Sequence, residues 1–86
     1  MVIAGYELTA HAADVIAERE IDPTWIARVL AKPELTAADR SDPALRHAMA
    51  RIAERDDRVL RVVYNRLTHP PRIVTCYFDR SQRGKK

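Results

Sequence analysis

The stretch Arg58–Asp79, RVLRVVYNRLTHPPRIVTCYFD, constrains the fold of this chain more than any other. Two runs of β-branched, aliphatic and aromatic residues, Val59–Tyr64 and Ile73–Phe78, flank a segment containing Thr68, His69, Pro70 and Pro71. Such residues favour pleated, half-buried strands, and the prolines interrupt them, so the pattern predicts two strands joined by a loop, most simply an antiparallel hairpin. Side chains alternate between the faces of a strand. Matching the apolar sets places Leu60, Val62, Val74, Cys76 and Phe78 under a covering layer. The other face then carries Arg61, Thr75 and Tyr77. A charge inside a β-branched run is costly unless it is paired or reaches solvent. A salt bridge to Asp79 or Glu54 accounts for Arg61, as does exposure on an uncovered sheet face, as does a site built around a guanidinium.

Eighty-six residues support one domain with a single modest core, which suits a thin sheet carrying one or two short helices. Residues 2–8 read as a short first strand, weakened by Gly5. Thr9 is a natural N-cap for a helix over residues 10–19, with Val15 and Ile16 facing the core. His11 lies in the first turn of that helix; as a neutral imidazole it is a candidate to donate or accept a proton, and as an exposed helix-start residue it has no chemical role. Asp22 caps a second helix, Pro23 fits its first position, and Ile21 packs on Ile26 as a staple. Trp25, Ile26, Val29 and Leu30 form its apolar stripe, with Trp25 as a core anchor, and Pro33 marks its end.

Residues 35–40 read as a strand closed by the Asp42–Pro43 turn. The stretch 44–55 has a helical composition. The short break at Asp56–Asp57 before a clear strand favours a hairpin instead, so it is read as a strand with Arg46, Ala48, Ala50 and Ile52 on one face and His47, Met49, Arg51 and Ala53 on the other.

Charge narrows the function classes. Residues 1–45 carry four basic and eight acidic side chains, a net −4; residues 46–86 carry eleven and four, a net +7, which together make the overall +3. The basic half attracts polyanions, of which RNA and DNA are the commonest, or is simply a solvated surface. The single cysteine, Cys76, excludes an intramolecular disulfide and gives no zinc-site spacing. No apolar run approaches the ~18–20 residues that span a bilayer, and the N-terminus lacks the basic region of a signal peptide. A cytoplasmic protein is expected, without a membrane partner.

The segments YELTAHA, AERE–IDP and LRVVYN…RIVTCYFDR resemble the RelE/ParE superfamily of bacterial toxins, to which BrnT-type toxins also belong, and more closely a small domain of unknown function in that group. The resemblance covers about residues 6–80; its strongest pieces are T-x-H-A at Thr9–Ala12 and L-R-V-V-Y at Leu60–Tyr64. It implies an α+β fold: a short N-terminal strand, a two-helix hairpin, then a three- to four-stranded antiparallel sheet. One domain over 1–80 is followed by a basic tail, 81–86. It also implies a toxin-like protein that cleaves or binds RNA, with an antitoxin partner.

In ribonucleases of that superfamily, an Arg in a middle strand and another after the next strand contact phosphate, positions matched here by Arg61 and Arg80. Guanidinium suits that task because it is always charged and grips phosphate through a fixed fork. The expected catalytic set is His11, Arg61, Tyr77 and Arg80, flanked by Arg19, Arg51, Arg58, Thr75 and Arg83 as RNA contacts; no cofactor or metal is implied. Many relatives place a catalytic Tyr near the C-terminus, and the tail SQRGKK has none. A binding module without catalysis, and a ParE-like toxin acting on a protein, are the alternative readings.

Overall fold

A computed structural model describes residues 2–79. One mixed sheet carries all six strands, β1 (Val2–Ile3), β2 (Tyr6–Leu8), β3 (Leu35–Ala38), β4 (Leu45–Ile52), β5 (Arg58–Asn65) and β6 (Arg72–Asp79), in the order β1-β2-β6-β5-β4-β3. Helices α1 (Ala10–Glu18) and α2 (Pro23–Ala31) pack on one face, α1 mainly over β6 and α2 over β5 and β4. The α+β class is as the sequence implies; β3–β6 run antiparallel to their neighbours within a six-stranded sheet, where three or four strands were expected.

The whole sheet is larger than expected and is not purely antiparallel. Residues 2–8 are not one strand but a minimal hairpin. Ala4 and Gly5 both take positive φ, at 53° and 83°, and this left-handed pair turns the chain back so that Ile3 faces Tyr6. The second arm, β2, runs parallel to β6, with Glu7 opposite Arg72 and Leu8 opposite Ile73. The Glu7 amide donates to the Pro71 carbonyl at 2.9 Å, and the Thr9 amide to that of Ile73 at 3.1 Å.

Both helix starts follow from local chemistry. The Thr9 Oγ1 accepts from the Ala12 amide at 3.0 Å, and Asp22 Oδ1 accepts from the Thr24 amide at 2.9 Å. Ile21 and Ile26 are both buried, as the staple requires. Ile26 and Val29 from α2 meet Ile52, Leu60 and Val62 from the sheet, while Ala12 and Ile16 from α1 cover Ile73 and Cys76. Trp25 is only partly buried; it packs edge-on against Phe78 with ring centres 6.2 Å apart.

The stretch 44–55 is a strand to Ile52, with the two faces anticipated for it. Its turn is longer than the Asp56–Asp57 pair, because a 3-10 turn at Ala53–Arg55 comes first and both aspartates sit at φ 58°.

One face assignment in β6 is corrected. Val63 pairs with Thr75 but Tyr64 pairs with Ile73, so a bulge places an extra residue, Val74, on that strand. The bulge breaks the alternation. Ile73, fully buried, takes the place in the core that strict alternation gives to Val74, which is half-buried. The displaced Val74 carbonyl accepts a hydrogen bond from the Thr9 hydroxyl at 3.2 Å, so the cap of α1 also anchors the bulge.

Candidate functional site

On the face away from the helices, β4, β5 and β6 present His47, Met49, Arg51, Val59, Arg61, Val63, Thr75, Tyr77 and Asp79. Arg61 is central: Met49 and Tyr77 are its cross-strand neighbours. Its side chain reaches diagonally past both. Arg61 Nε donates to Asp79 Oδ2 at 2.8 Å, with Nη2 2.7 Å from the same oxygen. On the other side Nη1 donates to His47 Nδ1 at 2.6 Å. The far ring nitrogen of His47, Nε2, lies 2.7 Å from Asp39 Oδ1, just past the end of β3. A row Asp39–His47–Arg61–Asp79 thus crosses the sheet. The Arg61 and Asp79 side chains are only 16% and 11% exposed.

The row fixes the state of its histidine. A guanidinium has donors and no acceptor, so His47 Nδ1 must carry a lone pair, and Nε2 must carry the proton that Asp39 accepts. With those roles His47 bridges a cation at Nδ1 and an anion at Nε2. Asp39 is anchored further: its Oδ2 accepts from the Ser41 amide and hydroxyl and from the Asp42 amide, at 3.0–3.2 Å. The His47 hydrogen bond first, and the Ser41 amide next, lower its pKa from 3.8 to about 2. Asp39 is therefore a fixed anion near neutral pH.

Several residues expected to act together lie apart. Arg61, Thr75 and Tyr77 share the open face. His11 is exposed on α1, in the layer on the other side of the sheet. Arg19 is exposed at the C-cap of α1. Arg51 is on the open face but pairs with Glu34 at 3.3 Å, both half-exposed. Arg58 lies on the helix side, its guanidinium carbon 5.2 Å from the centre of the Phe78 ring, where Arg55 also stacks at 5.1 Å. Arg80 and Arg83 lie outside the described residues. Of the two carboxylates weighed as partners of Arg61, Asp79 is the one it meets. Glu54 instead takes a two-pronged hydrogen bond from Arg28, each prong 3.0 Å.

His47 and Asp39 were not among the expected site residues. Reading 44–55 as a strand does put His47 on a polar face, and that was the available signal. Its meeting with Arg61 depends on the β4–β5 register, which the 3-10 turn sets.

Two other features bear on the chemistry. Cys76 is fully buried, and burial pushes its thiol up to about 11, so it stays protonated and unreactive. Among the described residues no group of three or more His, Cys, Asp or Glu could hold a metal ion, and no helix is long and apolar enough to cross a membrane.

Fold and site define a class: a small α+β protein with two helices on one face of a mixed sheet and a row of hydrogen-bonded charges on the other. The model of a family described as a domain of unknown function, DUF4258, matches residues 8–78, and the chain belongs to that family. Searches of curated proteins and of solved structures gave no match.

Proposed function

We propose that this protein is a toxin-like, RNA-cleaving member of its family, with the reacting phosphate at the open sheet face. The observation that carries this reading is His47, held between Asp39 and Arg61, one strand from Arg61 and two from Tyr77. A guanidinium has five N–H groups, and at most three of those on Arg61 are engaged. An RNA phosphate oxygen taking the Nη1 donor from His47 frees the Nδ1 lone pair. His47 then removes the proton of the adjacent 2′-hydroxyl, and Asp39 stabilises the imidazolium through Nε2–H, as an acid orients a histidine base in hydrolases. The 2′-oxygen forms its bond to phosphorus, and the bond to the 5′-oxygen breaks as that oxygen takes a proton from Tyr77. Arg61 balances the charge that develops on the phosphorane. The resemblance to RelE/ParE-like toxins supports this assignment and adds an antitoxin as partner, with an acidic surface to match the basic half of the chain.

A second reading is RNA binding without cleavage. It is favoured by the pairing of Arg61 with Asp79, which occupies the guanidinium that cleavage needs, while the net +7 of residues 46–86 still attracts RNA. The test is incubation of purified protein with labelled RNA, together with expression in cells. The wild type is expected to cut RNA and arrest growth, and Arg61→Ala and His47→Ala to lower the cleavage rate by at least ~100-fold. Binding of intact RNA by the wild type decides for the second reading. Growth arrest with RNA intact decides for a protein target.

A further inference from the structure

At the end of the sheet where β4 begins and β5 ends, a concave site of about 500 Å³ is lined by Asp39, Arg40, Ser41, Pro43, Arg46 and Arg66, with Ala38 behind them. Its cations differ from most of the other described arginines, the exposed Arg19 aside. Arg28, Arg51, Arg61 and Arg72 each face a carboxylate, and Arg55 and Arg58 lie on aromatic rings. Among the described residues, Arg40 and Arg46 have no carboxylate within 4.0 Å. Arg66 uses only its Nε, donating to the Pro43 carbonyl at 3.3 Å. Three arginines thus line one hollow, and of their side-chain donors only Arg66 Nε has a hydrogen-bond partner among the described residues.

The one carboxylate in the lining, Asp39, pairs directly with none of the three arginines, and its single charge leaves them in surplus. Both Asp39 oxygens are occupied, Oδ1 by His47 and Oδ2 by the Ser41 and Asp42 amides and the Ser41 hydroxyl. That carboxylate shapes the 39–42 turn and leaves the arginines to a ligand. Arg46 is held by its position in β4, opposite Ala38 on one side and Tyr64 on the other, on the sheet face away from His47. Arg66 is tied to the same turn through its amide, which donates to the Ala44 carbonyl at 2.9 Å. A volume of this size lies within the range of small-ligand sites, about 300–1,000 Å³.

We propose that this hollow binds a terminal phosphate, the phosphomonoester of a nucleotide or of an RNA end, with Arg40, Arg46 and Arg66 as the binding residues. A monoester presents three acceptor oxygens and a charge of about −1.5 to −2 near neutral pH, against a single negative charge on a backbone diester. Convergent forks match the first better. The hollow meets the open-face row only at Asp39, and Arg46 lies on the other sheet face, so phosphate binding by its arginines stands whether or not RNA is cleaved at Arg61.

The test is titration of the full chain, followed by NMR at backbone amides and arginine Nε groups, with inorganic phosphate, adenosine 5′-monophosphate and adenosine. Phosphate and the mononucleotide are expected to shift Arg40, Ser41, Arg46 and Arg66, and adenosine to leave them in place. Arg46→Ala is expected to weaken mononucleotide binding at least tenfold. Arg40→Ala, on an exposed turn, is expected to weaken it severalfold without touching the sheet. Arg28→Ala, on α2 and paired with Glu54 away from the hollow, is expected to change nothing. A short RNA binding more tightly with a 5′-phosphate than with a 5′-hydroxyl, and more tightly than the mononucleotide, assigns the site to RNA ends; equal affinity for RNA and mononucleotide assigns it to free nucleotides. Adenosine producing the same shifts, or both arginine variants binding like the wild type, overturns the proposal.

Discussion

The two faces of the sheet are built from the same strands and differ in almost every physical respect. Under the helices, Ile52, Leu60, Val62, Ile73 and Cys76 are fully buried, and their contribution comes from apolar area removed from water. On the open face, Met49, Val59 and Val63 are nearly as buried, at 3%, 8% and 5% exposure, yet they flank Arg61, His47 and Asp79. There the charge is tolerated because Arg61 is paired with Asp79 and hydrogen-bonded to His47. The difference teaches how a small domain separates tasks: one face is spent on stability, and its alternate residues are left free for chemistry.

The largest test of that contrast is truncation on each face. Leu60→Ala is expected to cost about 2–5 kcal/mol, since it opens a cavity beneath α2. Val63→Ala on the open face removes two methyl-sized groups, so about 1–1.5 kcal/mol is expected. Denaturant midpoints of the two variants measure it, and equal losses would show that both faces are equally covered. Next in size is Asp79→Ala, which removes a carboxylate acceptor from the largely buried Arg61. A loss of about 1–3 kcal/mol is expected, with part recovered by Asp79→Asn, read in the same unfolding experiment.

The smallest effect is a pH dependence from Asp39. Its pKa is about 2 in the folded chain against an ordinary 3.8. Its hydrogen bonds therefore contribute stability that is complete above about pH 4 and is lost as pH falls toward 2. The Ser41 and Asp42 amide signals, followed by NMR across that window, are expected to move together with the His47 ring. Asp39→Asn is expected to flatten this response, and a wild-type response unchanged from pH 4 to 2 would remove Asp39 as the anchor of the turn.

What was legible before the structure was the part that depends on near neighbours. Thr9 and Asp22 with Pro23 mark both helix starts, and the alternation in Val59–Tyr64 sorts Leu60 and Val62 from Arg61 correctly. The strand at 45–52 was readable against its helical composition, because the short break before β5 leaves no room for a helix-to-strand crossing. Other features were out of reach. A tight turn at Asp56–Asp57 pairs Arg55 with Arg58 and so Arg61 with Ile52; the 3-10 turn at Ala53–Arg55 moves that partner to Met49 and brings His47 within reach of Arg61. The bulge at Val74 has the same character. Its carbonyl is satisfied by Thr9, sixty-five positions away.

The sequence by itself determined the class of the fold, the two helix caps, the strands from β3 to β6 and the presence of an arginine that needed explaining on an open sheet face. Each of these rests on interactions within a few residues or on the two-residue period of a strand. Only the tertiary structure decided that β2 joins the sheet in parallel, that Asp39, His47, Arg61 and Asp79 form one row, that His11 lies across the sheet from it, and that Arg40, Arg46 and Arg66 share a hollow. Those relations depend on register, and register is set by turn geometry and by contacts between residues far apart in the chain.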